Sequence, residues 1–377
     1  MRWLAVLAVF VLVLGACTGD DDDAADTPDA PDNNGEDNGD GPSETIDLVQ
    51  DGESVLASVQ DSGVVVCGVN DAVPGFGFVD EDGNFSGFDV DYCRAIAAAV
   101  LGDAEAVEYV PLTAAQRFTA LQSGEIDVLV RNTTWTASRD GGEGAAFATT
   151  TFYDGQGMMV RADGDIGSID DMGGASVCVL SGTTTELNLA TVFNARGLDY
   201  SPLSFEDNDT LREAFIAGQC DGWTSDKSQL AAVRSAYPEA DGGPESLTIL
   251  DETISKEPLG PAVRDGDSAW FDAVNWAVIA TIQAEEFGIT SENIDDFTTS
   301  DDPNILRFLG EPDPEEGTVA DPGLGLDPDF AVNVISQVGN YGEIFERHVG
   351  PDTPLGLARA ENDLWTNGGL LYPPPYR

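Results

Sequence analysis

Ile126-Asp127-Val128-Leu129-Val130-Arg131-Asn132-Thr133-Thr134-Trp135-Thr136-Ala137-Ser138-Arg139-Asp140 starts as an apolar, β-branched run, breaks into amide and hydroxyl residues, and reaches an arginine a few positions on. Such a run reads as a buried strand whose far end opens onto something polar. In open parallel sheets small molecules bind beyond the carboxyl ends of strands, and an arginine fork among hydroxyls and amides suits a carboxylate, held through two parallel charge-assisted bonds. A strand end capped by a surface arginine is the plainer reading of the same residues.

Outward from this stretch the pattern occurs twice. Residues 64–69 form an apolar strand, 89–100 a helix closed by Gly102, and 113–122 a second helix closed by Gly124 just before the quoted strand. Residues 175–180 again form a strand, 184–195 a helix ended by Gly197, and 209–217 a helix closed by Gly218 ahead of 220–224. Ala120-Leu121-x-x-Gly124-x-x-Asp127 matches Ala214-Phe215-x-x-Gly218-x-x-Asp221. Two βαβ lobes of one ancestry account for this. Asn132 and Asp226 each lie eight residues after the corresponding glycine, so both fall at strand ends facing a shared cleft. Residues 153–160 would cross between the lobes and 254–264 return, making a hinge of two strands. A long amphipathic helix over 267–287, a Pro-, Gly- and acid-rich stretch over 300–329 and a further helix over 331–349 follow, and Trp365 to Leu370 leads to a Pro-rich end.

Cys67, Cys93, Cys178 and Cys220 allow three pairings. Pairing within lobes, Cys67 with Cys93 and Cys178 with Cys220, is expected of an exported protein, with buried free thiols as the alternative. No spacing among them suits a metal, and with His348 as the single histidine no metal or other cofactor is expected.

The net charge of −53, from 69 acidic against 16 basic residues, repels nucleic acid and anionic lipid headgroups, so nucleic-acid binding is excluded as a function. Lysine occurs only at Lys227 and Lys256, a scarcity that also fits work in high salt. At the amino end one arginine and a short apolar core lead to Leu14-Gly15-Ala16-Cys17. That core is too short to span a bilayer, and it reads as an export signal. The box resembles that of bacterial lipoproteins, which implies a lipid on Cys17. The acidic, glycine-rich residues up to 61 read as a solvated tether to the membrane, within which the apolar spacing over 46–59 reads as a short helix packing on the body.

Several motifs resemble the solute-binding proteins of polar amino acid ABC importers, and within them the general L-amino-acid-binding group. They are Ser123 to Asp140, Tyr153-Asp154-Gly155-Gln156-Gly157, Gly182 to Leu189, Ile254 to Pro261, Val338 to Arg347, and the end from Leu364. The resemblance covers about 64–377 and implies a Venus-flytrap of periplasmic binding protein-like type II: an α/β fold with two lobes joined by a two-strand hinge. It implies a signal segment over 1–16, lipidated Cys17 with its tether over 17–61, first lobe over 62–154, second lobe over 155–256, and over 257–377 a return to the first lobe with a helical extension.

Carried over by position, the family implies that Arg139 takes the α-carboxylate of a free L-amino acid, helped by Thr134 and by Thr184 beside Thr183 at a helix start. Asp226 would take the α-ammonium, with Asn132 close by. The residues agree independently, because the free N–H groups of a helix start favour an anion while Asp226 supplies the counter-charge for a cation. Asn70 stands where relatives that choose cationic side chains carry an acid, so breadth rather than cationic selection is expected. Phe76, Phe78 and Trp135 are candidates for the side-chain pocket, with core as the better reading for Phe78 and Trp135. The implied partners are the free L-amino acid, the importer's permease and the membrane reached through the lipid. A cyclohexadienyl dehydratase-like enzyme and a ligand-sensing subunit of a signalling system are the rivals; no general acid or nucleophile beyond the binding groups supports the enzyme.

Overall fold

In the computed structural model, which describes residues 54–313 and 317–376, strand Val65–Val69 pairs in parallel with Val107–Pro111 on one side and Val128–Leu129 on the other. Ala262–Arg264 and Ala145–Phe147 extend this first sheet antiparallel. In the second, Ser176–Leu180 lies parallel between Ser201–Phe205 and Gly222–Asp226. Both sheets are flanked by helices, giving two α/β lobes. Strand Phe152–Arg161 runs from one lobe into the other. Its first residues pair with the returning strand Lys256–Leu259, and its later ones pair with Gly222–Asp226.

The repeat has a physical basis. Gly124 and Gly218 follow equivalent helices in left-handed conformation, with φ of 76° and 71°, which lets the chain turn back into a strand. Three residues later an aspartate fastens that strand to its neighbour. Asp127 accepts from the Val66 amide at 2.8 Å, and Asp221 accepts from the Ser176 amide at 2.7 Å. Each also donates its own backbone N–H to the same partner's carbonyl at 2.8 Å.

Both expected disulfides are present. Cys67 joins Cys93 with Cα atoms 6.1 Å apart, and Cys178 joins Cys220 at 5.7 Å. They do not share the repeat. Aligning Val66 with Ser176 places Cys178 one position beyond the counterpart of Cys67, and a shift of one residue turns a strand side chain to the opposite face.

The first lobe holds the larger core. Helices Phe88–Leu101 and Ser268–Phe287 pack with the helices of the extension, and Phe76, Phe88, Phe152 and Phe345 lie in the same cluster. Two expectations need correcting. The helix expected over 113–122 starts at Arg117, because the Gln116 side chain accepts the Thr113 amide and closes a turn there. The helix expected over 331–349 is two, Phe330–Gln337 and Tyr341–His348. Gly339 at φ 105° separates them, and Asn340 with Glu343 forms a capping box that starts the second. The stretch over 300–329 contains helix Pro303–Phe308, whose Ile305, Leu306 and Phe308 are buried. Helix Val55–Ser62 overlaps the short helix expected over 46–59 at the end of the tether; it buries Val55, Leu56 and Val59, and the Asp267 carboxylate accepts from the Val55 amide. The signal segment expected over 1–16, Cys17 and the tether expected before residue 54 lie outside the described residues.

Candidate ligand-binding site

Two strand ends meet between the lobes. Val128–Leu129 runs out into Arg131, Asn132 and Thr134, while Gly222–Asp226 ends on Asp226, which also caps helix Lys227–Ser235. Thr183 caps helix Thr184–Arg196, its hydroxyl accepting from the Glu186 amide, so the first turn of that helix opens at the same place. These residues, with Arg117, Thr185 and Gln229, line a pocket of about 320 Å³ that includes the space at its mouth.

The lobes touch across this pocket. The Thr134 and Thr184 hydroxyls lie 3.3 Å apart, and the Asn132 amide donates to Asp226 at 3.5 Å and to Gln229 at 3.3 Å. Asn132 has φ 30°, an uncommon conformation for a residue with a side chain. It is held by donation of its backbone N–H to buried Asp89 at 2.7 Å. Burial pushes the Asp89 carboxyl up to about 7, against the pull of that amide and of Arg131.

Charge is concentrated and unevenly matched. Asp226 is 5% exposed, and its Oδ1 has no hydrogen-bond partner among the described residues. Burial pushes its carboxyl well above the usual carboxylate range, neighbouring Asp154 and Glu257 push it further, and Arg117 and Arg139 pull against them. Asp154 and Glu257 face each other across the two crossing strands. Asp154 accepts the Gly155 and Ser228 amides, yet burial still raises its carboxyl to about 6. Glu257 accepts from Thr184, Asn188 and Ser255. It is therefore well satisfied, and it ties the helix start to the hinge.

Three arginines face these carboxylates. Arg139, on helix Ala137–Gly142, is 7% exposed and donates to the Thr134 carbonyl at 2.8 Å. It stands behind the pocket lining rather than in it, and burial lowers its guanidinium while Asp226 and Glu257 favour its charge. Arg117 and Arg131 are in the lining, and sequence reasoning passed over both as site residues.

Of the residues expected here, Asn132, Thr134, Thr183, Thr184 and Asp226 come together around the pocket. Asn70 lines the adjoining chamber and donates to the Asn132 side chain at 3.3 Å. Phe76 lines neither cavity. It is 1% exposed and packs its ring on Phe88 and Phe152. Phe78 and Trp135, expected in the core, are instead 38% and 43% exposed, with Trp135 stacked on Phe147.

The arrangement of paired lobes, crossing strands and a polar, charge-rich cleft has relatives. Residues 65–292 match the family described as bacterial extracellular solute-binding proteins, family 3. The chain belongs to that family. Over 325 residues this solute-binding protein is 52% identical to the general L-amino acid-binding periplasmic protein AapJ of Rhizobium johnstonii, covering 86% of this chain and 93% of that one. It is 48% identical over the same length to the putative amino-acid ABC transporter-binding protein YhdW of Escherichia coli, again covering 86% of this chain and 93% of the relative. Among solved structures it is similar to an ABC transporter periplasmic binding protein from Brucella ovis with glutathione bound. That likeness has a TM-score of 0.81 and 48% identity, over 86% of this chain and 100% of the other.

Proposed function

We propose that this solute-binding protein is an extracytoplasmic receptor that closes its two lobes on a free L-amino acid, with broad choice of side chain, and delivers it to the permease of an ABC importer. The observation that carries the reading is the buried Asp226 carboxylate, with one oxygen unpartnered, set against arginines across a polar pocket. A zwitterion entering a cleft that sheds water must meet a fixed opposite charge at each end. Asp226 takes the α-ammonium, with Asn132 beside it and Asn70 behind. Arg139 takes the α-carboxylate together with Thr134 and the helix start at Thr183 and Thr184, moving forward from its hold on the Thr134 carbonyl.

The names of the Rhizobium and Escherichia relatives support the ligand class and the delivery, and they favour a receptor over an enzyme. Glutathione in the Brucella structure supports a cleft with room beyond the α-groups. In this reading the crossing strands are the hinge between a lobe of 62–154 with 257–377 and a lobe of 155–256. A lipid on Cys17 holds the receptor at the membrane, and the mass of the Cys17→Ser form, short by the lipid, checks that anchor.

A thermal-shift screen over the natural amino acids tests the function. Several L-amino acids should stabilise the protein, by about 2.7 kcal/mol at a hundredfold excess over the dissociation constant. No shift with any of them, together with conversion of prephenate or arogenate to an aromatic product, would replace the receptor with an enzyme.

A further inference from the structure

Beyond the pocket around Asp226 lies a second chamber of about 580 Å³, open to solvent. It is walled by Asn70, Asp71 and Gln116 from one lobe and by 207–209 from the other. Among the described residues Arg131 alone lines both cavities. A side chain leaving an α-carbon held at Asp226 and heading for the chamber therefore passes the Arg131 guanidinium first.

That guanidinium is 5% exposed and is committed only at Nε, which donates to the Leu112 carbonyl at 2.7 Å. Its two terminal nitrogens have no hydrogen bond or ion pair among the described residues. Arg117 is similar: it is 2% exposed, its Nε is unpartnered, and its one bond is a long 3.5 Å donation to the Gly182 carbonyl. Burial lowers the Arg131 guanidinium only to about 10, so it is charged at neutral pH. Neither guanidinium makes a direct ion pair among the described residues, although Asp71 and Asp89 favour the charge of Arg131, and Asp226 and Glu143 that of Arg117, without touching them. A ligand that brings a carboxylate into contact gains what a neutral one does not. The outer wall of the chamber carries Asp71, Asp207 and Asp209, which repel an anion that reaches past Arg131.

We infer that Arg131, seconded by Arg117, reads the side-chain carboxylate of the ligand, so that the receptor takes acidic L-amino acids ahead of neutral ones. The assignment rests on the amino-acid-receptor reading above. It leaves the α-carboxylate to Arg139 and makes Arg131 a specificity-determining residue.

Calorimetry of the whole protein with L-glutamate, L-aspartate and L-alanine tests it. The unaltered protein should bind an acidic ligand about 10- to 100-fold more tightly than alanine, the worth of one buried charge-assisted bond. Arg131→Met should weaken the acidic ligands far more than alanine and so erase most of that margin, and Arg131→Lys should restore part of it. Arg117→Met, on a different element, should narrow the margin by itself, which keeps the test open if Arg131→Met fails to fold. If the parent binds alanine as well as glutamate, or if both ligands weaken together in Arg131→Met, the assignment is overturned and the receptor reading stands. A parent that binds no amino acid overturns both.

Discussion

Asp127 in the first lobe and Asp221 in the second fasten their strands in the same way, each exchanging bonds with the neighbouring strand three residues after a left-handed glycine. The residues around that shared frame are opposed in kind. Seven positions before the glycine the first lobe has Arg117 and the second Leu211; seven after it they have Arg131 and Ser225; eight after it, Asn132 and Asp226. Leu211 is core, whereas Arg117 turns to the cleft. One lobe thus brings guanidinium groups and the other brings a carboxylate and a helix start. In the proposed function the ammonium meets Asp226 of the second lobe while the carboxylate meets Arg139 of the first with the opposite helix start, so the ligand would join the lobes and shift the population towards the closed form.

The largest effect should come from removing the arginine assigned to the α-carboxylate. Arg139→Ala should weaken binding of every L-amino acid alike by about 2–5 kcal/mol, as when a desolvated charge pair is broken, and calorimetry reads it directly. A loss confined to some side chains would mean that Arg139 serves selection and that the lobes share the α-groups differently.

The frame itself can be tested next. Asp127→Asn and Asp221→Asn should each destabilise by about 1–3 kcal/mol in chemical denaturation, since each weakens the carboxylate's hold on a strand amide. Similar losses support a repeated frame; a large loss in one lobe and none in the other breaks the equivalence.

A smaller, pH-dependent effect belongs to the hinge. Asp154 has a carboxyl raised to about 6 from an ordinary value near 3.8. Its ionisation therefore costs the folded state nothing below that ordinary value, progressively more as pH rises, and its full amount above about 6. Asp154→Asn should match the ligand-free parent near pH 4 and exceed it by on the order of 1–2 kcal/mol at pH 7, in denaturant melts taken across that range.

The sequence made the frame legible because a glycine that must turn left-handed and an aspartate that must clip a strand recur at one spacing. Asp226 and Thr184 were legible for a similar reason: a strand end and a helix start are places where polar residues have work to do. Arg117 was not, since an arginine on an amphipathic helix reads as surface unless the neighbouring lobe is known to cover it. Arg131 ends the apolar run, where an arginine reads equally as a surface cap, so only the fold shows that it lines the cleft. Size misled at the aromatics. Phe76 lies in the core and Trp135 on the surface, and this depends on which ring each finds, Phe88 and Phe152 for one and Phe147 for the other. The break at Gly339 was hidden by apolar spacing that continues through it, although Asn340 and Glu343 spell a capping box.

Asp226→Asn tests most directly whether the two lobes bring opposite charges to one ligand. The substitution keeps the shape and removes the charge. Binding of L-amino acids should fall by about a hundredfold or more in calorimetry, whatever the side chain. The ligand-free variant should at the same time melt higher than the parent at pH 7, because the buried carboxylate it replaces is disfavoured in its charged form. Binding within about threefold of the parent, with no gain in ligand-free stability, would contradict the account and move the ammonium site away from Asp226.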